Sequence, residues 1–270
     1  MERKTKLRLV ASLGVGGILG LGALLGLSGA VGLVGAASAA PVSTASFDFS
    51  VSLSGLTSSP VTLTGTGQAD TANDEVSVTV HLPSAVAALL PGGTAAPEDV
   101  NAVLAQGTIY LNVPSLQARL GAPWISLALP SKSASGLSGI FSKVASAVGN
   151  AKSIVAFAQS HHATVTPLPT STIDGVTATG NHIVATDKRA TITASLWADS
   201  SDQLVQADVT ASVAARNKTI GVTATINLSG YGDPVTITVP PASQVKAIPF
   251  STVASFLGAR FHHGHHGGTK

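Results

Sequence analysis

Val61-Thr62-Leu63-Thr64-Gly65-Thr66 and Val76-Ser77-Val78-Thr79-Val80-His81-Leu82 decide the fold. In both, an apolar or small residue alternates with a polar one, so each segment is a β-strand with one dry face and one wet face. The same period continues outward from Phe47. It recurs in Ile109, Leu111 and Val113, in Ile192, Ala194 and Leu196, in Val205 to Val213, and in Ile220 to Leu228. Turn-forming clusters fall between the runs at Ala72-Asn73-Asp74, Asp199 to Asp202 and Arg216-Asn217-Lys218. The pattern predicts a long antiparallel meander.

Two helical inserts are expected to interrupt the meander. The shorter runs from Pro97 to about Leu104, with Glu98 and Asp99 in its first turn and Gly107 just past its end. The longer spans about Ser135 to Ser160. Its apolar residues Leu137, Ile140, Phe141, Val144, Val148, Ala151, Val155 and Ala158 recur every three or four positions and make one stripe. Such a stripe requires burial, and the sheet is the available surface. The class is therefore α+β.

The first forty residues bear on location. Arg3, Lys4, Lys6 and Arg8 are followed by a charge-free stretch from Leu9 to Ala37, and Ala37-Ser38-Ala39 offers small residues at a cleavage site. This is the order of an export signal. A permanent anchor is the alternative, because the run is longer than an ordinary signal core and long enough to span a bilayer. In either case the remainder is expected outside the cytoplasmic membrane, in the cell envelope or the medium. The expected organisation is an export segment at 1–39, one domain at 40–257, and a disordered tail rich in glycine and histidine at 258–270.

Charge argues against polyanionic partners. Beyond residue 39 eleven basic and twelve acidic residues remain, so the basic balance of the whole chain belongs to the export segment. Neither nucleic acid nor an anionic membrane surface is an expected electrostatic partner. Membrane contact is expected only through the N-terminal segment if it stays attached. With no cysteine there is no disulfide framework, no thiol nucleophile and no site for lipid attachment of the lipoprotein kind.

Three stretches, taken in order, carry a resemblance. The first is Gln106-Gly107-Thr108-Ile109-Tyr110-Leu111-Asn112-Val113-Pro114, followed by Gly121-Ala122-Pro123-Trp124-Ile125-Ser126-Leu127. The second is Ile173-Asp174-Gly175-Val176, followed by Ala194-Ser195-Leu196-Trp197-Ala198-Asp199. The third is Tyr231-Gly232-Asp233-Pro234-Val235-Thr236-Ile237, running into Val239-Pro240-Pro241-Ala242-Ser243-Gln244-Val245. Their order over about residues 45 to 247 resembles the actinobacterial envelope proteins of the LppX/LprG type, themselves similar to the LolA/LolB lipoprotein carriers. The resemblance implies a strongly curved antiparallel sheet, a half-barrel, with helices across its mouth and an apolar cavity between. It also implies a lipid, acylated glycolipid or lipoprotein as ligand. The missing lipobox cysteine is the departure from that pattern.

Small inward side chains on a curved sheet leave volume for acyl chains, and a striped helix can close it. The expected cavity wall is Val76, Val78 and Val80 from the sheet with Leu137, Ile140, Phe141, Val144 and Val148 from the long helix. If the opposite strand face points inward, Ser77, Thr79 and His81 replace the three valines. Ligand entry would require the long helix, or the segment Ser84 to Leu104, to move off the sheet. The alternative is an envelope interaction module with a filled core. The chain is expected to act as a monomer.

Catalysis finds no support in the motifs. There is no Gly-x-Ser-x-Gly elbow, and Ser243-Gln244-Val245-Lys246 has the serine/lysine spacing without its companion motifs. Carboxylates sit at expected turns (Asp74-Glu75, Glu98-Asp99, Asp199 with Asp202), where capping and solvation account for them. His161 and His162 end the long helix and complement its dipole. The metal candidates are His262, His263, His265 and His266, dense enough to capture a divalent transition metal but without a fixed geometry. No cofactor is expected. Asn217-Lys218-Thr219 and Asn227-Leu228-Ser229 match the N-glycosylation pattern, which carries little weight if the chain is bacterial, as the resemblance implies.

Overall fold

The computed structural model describes residues 43–55, 59–88, 90, 94–128, 151–160, 162–187, 190–215 and 218–249. Strands β1 (Thr44–Ser54), β2 (Val61–Asp70) and β3 (Glu75–Leu82) lead through the short helix α1 (Ser84–Ala87) to β4 (Glu98–Ala105) and β5 (Thr108–Asn112). Helix α2 (Pro114–Leu120) and β6 (Trp124–Ala128) follow, then helix α3 (Ala151–Ser160). Strands β7 (Thr164–Ile173), β8 (Val176–Asp187), β9 (Ala190–Ala198), β10 (Leu204–Ala215), β11 (Lys218–Ser229) and β12 (Val245–Ala247) complete the order.

All twelve strands form one curved, open sheet, ordered β12-β6-β5-β4-β3-β2-β1-β11-β10-β9-β8-β7. Two antiparallel meanders, β1 to β6 and β7 to β11, are joined where β1 pairs with β11. Only β12, which pairs with β6, runs parallel to its neighbour. The expected antiparallel meander is therefore present, as two consecutive runs. No described helix is long and apolar enough to cross a membrane.

The turns follow from local chemistry. Gln106 and Gly107 (φ 50° and 73°) join Ala105 to Thr108, and Asp174 and Gly175 (φ 48° and 83°) join Ile173 to Val176. Two successive left-handed residues match the twist of the flanking strands, which is why these tight hairpins hold. Between β2 and β3, the Asp70 carboxylate accepts the Ala72 and Asn73 backbone N–H groups at 3.0 and 3.2 Å. Between β9 and β10, Asp199 Oδ1 accepts from the Ser201 and Gln203 N–H groups at 2.8 and 2.9 Å.

The expected helix from Pro97 to Leu104 is corrected to strand β4. Val80 faces Val100, Val78 faces Ala102 and Val76 faces Leu104, so the apolar residues alternate against an existing strand. Pro97 ends the preceding loop, and Gly107 belongs to the hairpin turn rather than to a helix end. The Ser84–Leu104 segment is therefore not one mobile flap, since Glu98–Leu104 is held in the sheet. Glu98 still caps a helix: its Oε1 accepts the Ser115 N–H at 3.0 Å, at the start of α2.

Helix α3 covers only the last ten residues of the long helix expected from about Ser135, and the rest of that expected helix lies outside the described residues. Ala151 and Ala158 are buried in the core, and Ile154 and Val155 pack against it, beside β7, β8 and β9. Its first turn is tied to the β9–β10 turn: Ala151 N–H donates to the Asp202 carbonyl at 3.0 Å, and Lys152 pairs with the Asp202 carboxylate. At the other end Ala163 N–H donates to Ala158 O and His162 N–H to Gln159 O, with His162 left-handed at φ 61°. This is a Schellman cap, in which the backbone of His162 ends the helix.

Candidate functional site

Residues in direct register across the strands sort the sheet into two chemically different faces. On one face the row Leu196, Ala207, Ile226, Phe49, Gly65, Val80 and Val100 crosses from β9 to β4. On the other, His182, Ser195, Asp208, Thr225, Ser50, Thr64, His81 and Asp99 cross from β8 to β4. The polar rows are laced by side-chain hydrogen bonds: Thr79 to Asn101 at 2.8 Å, Asn227 to Asp48 at 2.9 Å, and Thr225 to Asp208 at 2.7 Å. Cross-strand pairs of this kind stabilise a solvated face. His81 Nδ1 lies 2.6 Å from Asp99 Oδ1 in the same lattice.

This settles the direction of the valine set. Val76, Val78 and Val80 lie on the apolar face, while Ser77, Thr79 and His81 lie on the polar one.

Along the apolar face, neighbouring rows differ in how far they are covered. In the row of Phe49, Gly65, Val80 and Val100 every residue is buried, Phe49 to 3% and Val100 to 1% exposure. One step along, Phe47, Gly67, Val78 and Ala102 are all half-buried, as are Ala69 and Val76 beyond them. Among the described residues this strip also divides the core. Val78 and Phe47 pack against the large cluster under α1 and α3, and Val76 and Ala102 pack against a smaller one of Leu104, Ile109, Leu111, Ile125, Leu127 and Ile248. The strip carries no polar side chain, so it can hold apolar matter without demanding a hydrogen-bond partner.

Two glycines shape the floor of the strip. An added Cβ on Gly67 would meet Phe47 Cζ at 2.3 Å, and one on Gly65 would meet Phe49 Cζ at 2.4 Å. Each ring therefore lies down over the glycine opposite it, and the ring centroids are 6.5 Å apart at 31°. A side chain at either glycine would lift its ring off the sheet. The alternation at Gly65 was readable as strand, but nothing in the sequence marked it as the seat of a phenylalanine of the preceding strand.

Of the expected wall, Val76 and Val78 border the half-open strip, and Val80 is packed into the closed core at 5% exposure. Leu137, Ile140, Phe141, Val144 and Val148 lie outside the described residues, as do His161 and the tail histidines His262, His263, His265 and His266. The serine and lysine of the isolated spacing belong to different local structure. Ser243 sits in a 3₁₀ turn, and Lys246 donates from β12 to the Leu120 carbonyl at 2.9 Å. Sequence gives Tyr231 no role beyond its place at the head of the third stretch. Its hydroxyl donates to the Leu204 carbonyl, and burial, with the Asp199 carboxylate adding, holds the phenol well above its ordinary pKa.

No family model matches the chain, and a search of curated proteins returns no relative. Among solved structures, a LolA superfamily protein from Nitrosomonas europaea aligns over 75% of this chain and 90% of its own, with 10% identity and a TM-score of 0.28. A domain described as an outer membrane lipoprotein-sorting protein, from Vibrio parahaemolyticus, aligns over 69% of this chain and 83% of its own, with 11% identity and a TM-score of 0.25. Scores of this size do not establish a shared fold.

Proposed function

We propose that this chain is an exported envelope protein that takes a lipid, or the acyl chains of a glycolipid or lipoprotein, onto the apolar face of its sheet and transports or presents it without covalent chemistry. The observation that carries the reading is the half-open strip of Phe47, Gly67, Ala69, Val76, Val78 and Ala102, set between two packed clusters. A globular core gains by closing such a gap, and one left open across four strands suits an apolar guest. Each methylene brought out of water is worth about 0.8 kcal/mol, so a single long chain binds well without a polar anchor. The motif order, which resembles that of LppX/LprG-type proteins, points the same way. The apolar stripe from Leu137 to Val148 is proposed as the opposite wall.

The test exploits the alternation of β3. Val76→Lys and Val78→Lys place a charge in the strip, whereas Ser77→Lys and Thr79→Lys place it on the solvated face. Uptake of a fluorescent fatty acid should fall at least tenfold in the first pair and stay near the parent level in the second. Circular dichroism confirms that each variant is folded. Equal uptake by all four would remove the strip from the site.

A further inference from the structure

Among the described residues the open sheet has two edges, β7 and β12, and they are chemically unlike. Strand β12 is Val245-Lys246-Ala247, with no hydroxyl residue. Strand β7 reads Thr164-Val165-Thr166-Pro167-Leu168-Pro169-Thr170-Ser171-Thr172-Ile173, dense in threonine and proline. Thr164, Thr166, Thr170, Thr172 and both prolines are exposed. Leu168 pairs with Gly180 and Ser171 with Ala178, so Pro169 and Thr170 together stand opposite the single residue Thr179. The strand thus bulges at Pro169-Thr170, on the rim of the molecule.

We infer that Thr170, with Thr166 as a second position, is an acceptor for O-linked glycosylation after export. A glycosyltransferase must lay an extended acceptor segment in its groove and reach one hydroxyl. Threonines of the inner strands, such as Thr64 and Thr225, sit between two paired neighbours and cannot offer their backbone. Strand β7 is already extended, pairs on one side only among the described residues, and holds its prolines at fixed φ. Threonine and serine interspersed with proline is the composition that O-glycosylated segments share. In the transfer, the threonine Oγ attacks the anomeric carbon of a sugar carried on a polyprenyl phosphate. The bond from that carbon to the phosphate oxygen breaks, the polyprenyl phosphate leaves, and the hydroxyl proton passes to a base of the transferase. The added sugar also answers a physical need, since a free strand edge is a template for unwanted pairing, which proline and a bulge only partly block.

The inference depends on export and is independent of the lipid reading. The experiment is peptide mapping by electron-transfer fragmentation of the full chain, produced in a bacterium that O-glycosylates its exported proteins and recovered from outside its cytoplasmic membrane. The expected result is hexose on the peptide containing residues 164–172, lost in Thr166→Ala/Thr170→Ala and kept in Thr62→Ala/Thr64→Ala. Bare hydroxyls throughout that peptide, sugar mapped only elsewhere, or a chain found solely in the cytoplasm would each overturn the inference.

Discussion

Replacing Gly65 with alanine adds one methyl group at a point where the structure leaves no room. The new carbon would stand 2.3 Å from the Thr79 carbonyl oxygen and 2.4 Å from Phe49 Cζ. Phe49 is 3% exposed, so its ring cannot swing into solvent, and the Thr79 carbonyl belongs to a paired strand. Overpacking of a core costs about 1–3 kcal/mol, and two rigid obstacles place this site at the upper end. The entropy gained by removing a glycine from the unfolded chain returns only about 0.4–1 kcal/mol. The net loss is about 2 kcal/mol, which for a domain of this size lowers the melting temperature by about 4–8 °C. Urea unfolding followed by circular dichroism measures it, with two further variants as controls. Gly175→Ala has nothing within 4 Å and a φ of 83°, so it reports conformational strain alone, about 1–2 kcal/mol. Phe49→Leu/Gly65→Ala should cost less than the sum of its single changes by about 1 kcal/mol, because the shorter side chain no longer meets the methyl. A Gly65→Ala protein as stable as the parent would mean that Phe49 does not lie over β2, and the assignment of the inner face would fail with it.

Other consequences follow from the β9–β10 turn and its neighbours. Asp199→Ala removes the acceptor of two backbone N–H groups and should cost about 1–2 kcal/mol in the same unfolding assay. Lys152→Ala should cost under about 1 kcal/mol, since the lysine side chain is 77% exposed and its pair with Asp202 is screened by water. Tyr231 keeps its proton longer in the folded chain than in the unfolded one, where the phenol titrates near 10. The native state therefore binds more protons above that pH, and stability should fall as pH rises beyond about 10. Tyr231→Phe should flatten this alkaline slope while costing about 1 kcal/mol near neutrality through the lost bond to Leu204.

Much of the sheet was legible because period two leaves few alternatives. Val76 to Leu82 and Ile220 to Leu228 each show one apolar and one polar face, and the structure pairs them accordingly. The segment Glu98–Ala105 was misread because Pro97, two acids and Gly107 imitate helix punctuation. In the folded chain, pairing with β3 outweighs those local signals, and Val100, Ala102 and Leu104 carry the strand period inside the same eight residues. Helix α2 was missed for the complementary reason: it is about two turns long and buries no residue, with Pro114 at its start and Gly121 at its left-handed end. For the proposed site, only the valine set of β3 falls on described residues. Alternation put Val76 and Val78 on one face of β3 and Ser77, Thr79 and His81 on the other without fixing which points inward, and the line between a closed row and a half-open one depends on packing across strands distant in sequence. No local pattern carries that information, nor the seating of Phe47 and Phe49 over two glycines of the next strand.

The central claim is that the apolar face carries a lipid. Native mass spectrometry of the exported chain, purified without detergent and paired with organic extraction, tests it most directly. The account predicts a stoichiometric adduct that leaves with the organic phase and carries at least one acyl chain. A clean apo mass, together with failure of that apo protein to take up a fluorescent fatty acid, would contradict it.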